Sequence, residues 1–198
     1  MEDSELLNIL YLHNPWWTGK KPTLPNKKRA EFSALWSALS TKQIMVLIGP
    51  RRTGKSILMQ QLIQQLLAEK TDPKKILFTQ LDEPIFGKEK SLIIQRILEI
   101  YSKYIVKSDL DCLSEKIYIF FDEIQQVEKW SEQLKSYYDK RYPIKFAVSG
   151  SSAAGITRGS SESLAGRVSL NLLSTLKFAD YLRFKDCNNK LSNQITQI

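Results

Sequence analysis

The chain has 198 residues, 42% of them hydrophobic and 25% charged, with a formal net charge of +8. That length and balance suit one globular domain with a sizeable core and exclude a disordered chain. No apolar run nears the roughly 18 residues that span a bilayer, and Glu2, Asp3 and Glu5 make the amino terminus acidic rather than a secretion signal, so a cytoplasmic protein without membrane contact is expected.

Leu6, Ile9, Leu10 and His13 recur at helical spacing, which predicts a short amphipathic helix over 4–13, ended by Asn14-Pro15. The Trp16-Trp17 pair follows; it suits an arm anchored on the core, with an adenine-stacking platform as the alternative. A Pro/Lys/Gly-containing loop over 18–26 precedes a second amphipathic helix marked by Phe32, Leu35, Trp36 and Leu39. From residue 44 the pattern alternates strand and helix. Strands are predicted at Ile44 to Ile48, Ile76 to Leu81, Ile117 to Phe121, Ile144 to Val148 and Val168 to Leu173. Between them come a helix over 56–70, one capped by Ser91, and one with Trp130, Leu134, Tyr137 and Tyr138 inward. Nearly all-apolar strands alternating with helices indicate an α/β fold with a parallel sheet covered on both faces, whose ligands bind at the carboxyl ends of the strands. The expected organisation is a helical arm over 1–40, a core over 41–185 and a polar tail over 186–198.

Gly49-Pro50-Arg51-Arg52-Thr53-Gly54-Lys55-Ser56 fits G-x-x-x-x-G-K-[ST] between a strand and a helix. In such a P-loop the glycines let successive backbone N–H groups turn inward around phosphates, aided by the positive end of the following helix. Lys55 is expected to reach the β and γ phosphates, Ser56 to offer its hydroxyl to Mg²⁺, and Ile57 to continue the nucleotide contact. At the end of the third strand, Asp122 and Glu123 follow an apolar run. Two carboxylates there need a cation to bind or a reaction to serve. Asp122 suits Mg²⁺, largely through its water, and Glu123 suits the polarisation of an attacking water. Ser149-Gly150-Ser151-Ser152 ends the fourth strand, where small hydroxyls act either as a γ-phosphate sensor or as a simple turn or cap. Asp82-Glu83 face the site or begin a turn before Pro84. Arg158 and Arg167 follow, and Arg167 is the better candidate to stabilise phosphate charge.

Cys112 and Cys187 are too few and too far apart for a metal or disulfide pattern, and His13 is the sole histidine, so histidine catalysis is not expected. The basic group Lys20, Lys21, Lys27, Lys28 and Arg29 is read first as a solvated surface and second as a nucleic-acid contact.

The chain resembles the AAA-type, STAND-related bacterial and archaeal P-loop ATPases that usually continue into a C-terminal domain of unknown function. The likeness rests on Asn14-Pro15-Trp16-Trp17, the 49–56 loop, Leu81-Asp82-Glu83-Pro84, Phe121-Asp122-Glu123-Ile124-Gln125 with Trp130, Ser149-Gly150-Ser151-Ser152, and Ser163-Leu164-Ala165-Gly166-Arg167. It implies a three-layer P-loop NTPase fold with sheet order 5-1-4-3-2, Ser151 as a sensor and Arg167 as a phosphate-facing or subunit-facing arginine. Thr175-Leu176-Lys177-Phe178-Ala179-Asp180 departs from the family pattern, so the exit from strand five is expected to differ. Family members usually run much longer, with helical, winged-helix and effector regions, so a missing effector domain or partner protein is expected, and self-association is open.

Two functions follow: Mg²⁺-dependent ATP hydrolysis, or a STAND-like switch that holds ATP with little turnover. A small-molecule kinase is disfavoured by the adjacent Asp122-Glu123, and a GTPase by the lack of an N-K-x-D segment.

Overall fold

The computed structural model describes residues 1–87, 91–151 and 164–185. Five strands, β1 (Ile44–Ile48), β2 (Ile76–Gln80), β3 (Ile117–Asp122), β4 (Ile144–Gly150) and β5 (Val168–Leu172), form one sheet in the order β2-β3-β4-β1-β5. All four pairings are parallel, with Val46 opposite both Val148 and Leu170. This is a P-loop NTPase arrangement, with β4 inserted between the strand that precedes the P-loop and the strand that ends in acids.

Alternation within each strand divides the core in two. Ile44, Val46, Ile48, Ile119, Phe121 and Val148 point to one face, beneath α1 (Asp3–His13), α4 (Ile93–Ile100) and α5 (Trp130–Asp139). Met45, Leu47, Phe78, Phe120 and Ala147 point to the other, beneath α2 (Phe32–Ser40) and α3 (Lys55–Ala68). Both faces being covered explains why the strands carry so few polar residues. Another helix, α6 (Phe178–Phe184), follows β5. The helix expected to be capped by Ser91 instead begins after Leu92 without a side-chain cap, and it runs on into a π-turn over Tyr101–Val106. Ser91 contributes its carbonyl to Gln133 Nε2 at 2.9 Å.

The arm seals one edge of the sheet. Asn14, fully buried, imitates a neighbouring strand: its Nδ2 donates to Phe78 O at 2.8 Å and its Oδ1 accepts from Phe78 N at 2.6 Å. The indoles of Trp16 and Trp17 both donate to Ile76 O, and Trp17 stacks on Tyr101 with ring centroids 5.8 Å apart. An edge strand otherwise offers unpaired N–H and C=O groups to other chains, and these contacts remove the opportunity on β2.

Lys145, the second residue of β4, is almost fully buried, with its ammonium donating to Thr41 O at 2.9 Å, Thr41 Oγ1 at 3.2 Å and the carbonyl of Gln43. The charge therefore caps the carboxyl end of α2 and ties it to the start of β1. Burial, aided by the nearby Lys116 charge, lowers its pKa from 10.5 to about 8. Between those values the unfolded chain binds the extra proton, so stability rises with pH across the window and is flat below it. The urea midpoint should climb between pH 8 and pH 10. In Lys145→Met that share of the climb should be absent.

Candidate functional site

The phosphate loop is built by close approach and by two left-handed residues. A Cβ on Gly49 would lie 2.1 Å from Leu173 O, so only glycine permits the chain leaving β1 to pass the end of β5, where Leu173 N donates to Ile48 O at 2.7 Å. Arg52 (φ 64°) and Gly54 (φ 91°) turn the loop into α3, and Thr53 Oγ1 closes it on Pro50 O at 2.9 Å. Lys55, the first residue of α3, is 5% exposed; its Nζ donates to the carbonyls of Gly49 and Pro50, each at 2.9 Å. An anion entering the loop therefore meets an ammonium already held in its concavity, beside the amino terminus of a 14-residue helix. Ser56 is half-buried in the first turn of that helix, and Arg51 and Ile57 are exposed beside it.

The acids stand two strands away across the inserted β4. Asp122 is fully buried. Its Oδ1 accepts from Ser149 Oγ and from Glu123 N, the latter at 3.1 Å, whereas its Oδ2 is buried without a partner among the described residues. A buried carboxylate oxygen without a donor is costly unless a cation or water completes it. The donor set, one carboxylate and the Ser56 hydroxyl, fits Mg²⁺, which needs few protein ligands because it keeps several waters and binds phosphate oxygens. No three His, Cys, Asp or Glu residues gather into a metal-holding group among the described residues.

Glu123 leaves the strand in the left-handed conformation, φ 55°. Its Oε2 accepts from Gln125 Nε2, and the same amide donates to Ser151 Oγ at 3.2 Å. The chain thus brings Glu123 and Ser151 into one hydrogen-bonded group. Ser149 and Gln125 complete the arrangement; a run of serines and a DEIQQ segment carry no local signal to single them out.

Beside the loop lies a largely apolar cavity of about 230 Å³, lined by Pro25, Arg29, Ile57, Leu58, Leu176 and Phe184 among others. Of its lining, the sequence pointed to Arg52, Thr53, Gly54 and Ile57 as nucleotide contacts but not to Pro25, Leu58, Gln61, Leu176 or Phe184. The loop that forms one wall is held by Gln61, whose Nε2 donates to Pro25 O and Lys27 O at 2.8 and 3.1 Å. Arg29 belongs to the basic group expected at the surface, but it is turned inward. It donates to Thr53 O at 3.3 Å and Ser174 O at 3.1 Å, and pairs with Glu31 at 3.2 Å and the buried Asp180 at 3.7 Å. One guanidinium therefore joins the arm, the phosphate loop and α6. Lys28, beside it, packs over the Phe32 ring and donates to Gln65. Removing Arg29 takes the donor from Thr53 O and Ser174 O and one of two cations from the buried Asp180, and Arg29→Ala should cost about 3 kcal/mol of stability. A urea titration would measure it, and ATP affinity should fall with it.

Other candidates are not gathered. Arg167 does not reach the phosphate loop of its own chain. Its carbonyl accepts from Ile44 N at 2.8 Å, at the opposite end of β1, and its side chain forks onto Asp139, with Nε 2.8 Å from Oδ1. The reason is topological: in a parallel sheet a residue just before a strand lies at the edge away from the carboxyl ends. Asp82 is exposed, and Glu83 pairs with His13 Nε2 at 3.1 Å on the sealed β2 edge. Trp16 and Trp17 are committed to that edge rather than to a nucleobase. Ser152, Arg158 and Cys187 lie outside the described residues, and Cys112 is an exposed free thiol. No helix among the described residues is long and apolar enough to cross a membrane.

Residues 41–182 match the family described as AAA domain. The uncharacterized protein MJ1544 of Methanocaldococcus jannaschii is 29% identical over 152 residues, covering 77% of this chain; the chain spans 31% of that protein's length. The solved structure of C. elegans PCH-2 superposes with a TM-score of 0.47 at 15% identity, over 73% of this chain and 40% of that one. With the matched residues spanning β1 to α6, phosphate loop and acidic strand included, the chain belongs to the AAA domain family of P-loop ATPases.

Proposed function

We propose that the chain binds ATP and hydrolyses it in a Mg²⁺-dependent reaction. The observation that carries this reading is the strand-end pair: Asp122, with one buried oxygen left without a donor, next to Glu123 aligned with Ser151. Lys55 and the loop N–H groups receive the β and γ phosphates. Ser56 and Asp122 would hold Mg²⁺, which when bound shields phosphate charge. The cavity flanking the loop takes the base.

Glu123 accepts a proton from the attacking water as its oxygen bonds to the γ-phosphorus. The bond from that phosphorus to the β–γ bridging oxygen breaks, giving ADP and inorganic phosphate. Ser151, joined to Glu123 through Gln125, would donate its hydroxyl to the γ-phosphate. Arg167, at the far edge of its own sheet, would serve only the site of a neighbouring copy, so ATP-dependent self-association belongs to this proposal. Light scattering of Glu123→Gln protein with ATP tests it: assembly is expected, and a monomer would remove Arg167 from the catalytic group.

A switch with little turnover differs in one readout. It retains intact ATP after binding, whereas the hydrolytic reading requires phosphate release on a single-turnover time course.

A further inference from the structure

Glu123 sits on a rigid turn. Its carbonyl accepts from Gln126 N at 3.0 Å, Ile124 O accepts from Val127 N at 3.1 Å, and Ile124 is fully buried. The left-handed backbone at Glu123 is strained for a residue with a Cβ, and the buried Ile124 anchor and these turn bonds hold it. The turn fixes the Glu123 backbone but leaves three side-chain torsions to place the carboxylate. Gln125, two residues on, supplies that constraint. Only its amide nitrogen can face a carboxylate, and that nitrogen carries two hydrogens, one for Glu123 Oε2 and one for Ser151 Oγ. Its Oε1 is buried without a partner among the described residues.

We propose that Gln125 is a positioning residue that ties the Glu123 carboxylate to Ser151, so that the water-activating acid and the γ-phosphate-facing hydroxyl are set by one amide. With Oε2 occupied by Gln125, Oε1 is the oxygen left to accept a water proton. A hydroxyl that turns to the γ-phosphate keeps its oxygen as the acceptor for Gln125, so the bridge persists while ATP is bound. This inference rests on Glu123 acting as the base.

The test measures single-turnover hydrolysis and ATP affinity of the whole chain in Gln125→Leu, Glu123→Gln and the double variant, with Gln125→Asn as a second variant that keeps the amide but shortens its reach. Gln125→Leu should slow hydrolysis at least about tenfold, the scale of a base displaced by a fraction of an ångström. ATP affinity should be unchanged, and Gln125→Asn should show a smaller loss in the same direction. Added to Glu123→Gln, the leucine should slow the reaction no further. Full rate in both Gln125 variants with a slow Glu123→Gln overturns the bridge and leaves the base assignment standing. A fast Glu123→Gln removes the base assignment itself, and a further loss in the double variant shows that Gln125 does not act through Glu123. Parallel loss of rate, affinity and thermal midpoint would make Gln125 a structural support only.

Discussion

Replacing Glu123 by Gln should lower the hydrolysis rate by about 10²- to 10⁴-fold, the usual share of a positioned general base, while ATP still binds. The substitution keeps the size of the side chain and can still take a hydrogen bond at its oxygen. What it loses is the capacity to hold a proton. Because Gln125 donates to Glu123 Oε2, the new amide should turn its oxygen to that donor, so the neighbourhood of Ser151 should be retained. A steady-state phosphate-release assay beside a fluorescent-nucleotide titration checks both halves. Weak ATP binding in this variant would mean that Glu123 supports the fold of the site rather than its chemistry.

The second large effect belongs to Lys55. Its ammonium is held by two loop carbonyls, at 2.9 Å each, in a position 5% exposed. Charge-assisted hydrogen bonds contribute about 1.5–3 kcal/mol each. Two such bonds to phosphate oxygens imply a loss of roughly 10²- to 10⁴-fold in ATP affinity for Lys55→Ala, at 1.4 kcal/mol per factor of ten. Calorimetric titration with Mg·ATP measures it. Lys55→Arg should rescue little, since the planar fork of a guanidinium does not fit a cradle filled by a point charge. An affinity unchanged by Lys55→Ala would place the phosphates outside the 49–56 loop.

Strands β1 to β4 were legible because each is a largely apolar run buried on both faces, β5 (VSLNL) only by a broken alternation at an exposed edge, and the 49–56 loop because close approach at Gly49 and the left-handed turn at Gly54 demand glycine. Sheet order was a different matter. Nothing in the local pattern of Ile144 to Gly150 says that it enters between β1 and β3; that order entered through family likeness, and the pairing of Val46 with Val148 bears it out. Helix α6 escaped notice because its polarity is reversed: Phe178 and Tyr181 are exposed and Asp180 is buried against Arg29. Arg29 escaped for the complementary reason. Set among Lys27, Lys28 and Glu31, it looks solvated, and only the fold shows it reaching Thr53 and Ser174. The same holds for Ser149 and Ser151, alike in sequence but divided in space, one onto Asp122 and the other onto Gln125. Arg167 is a different case: its place in motif order does not show that it lies at the far edge of its own sheet, where only its subunit-facing reading remains.

The central claim is that this site cleaves the ATP it binds. Its most direct test is a single turnover with protein in excess over γ-labelled ATP and Mg²⁺, followed by separation of nucleotide from phosphate. The expected result is release of the label as inorganic phosphate from the wild-type chain, with intact ATP retained by Glu123→Gln. Intact ATP retained by both proteins over the same period would contradict hydrolysis and leave a nucleotide-binding switch.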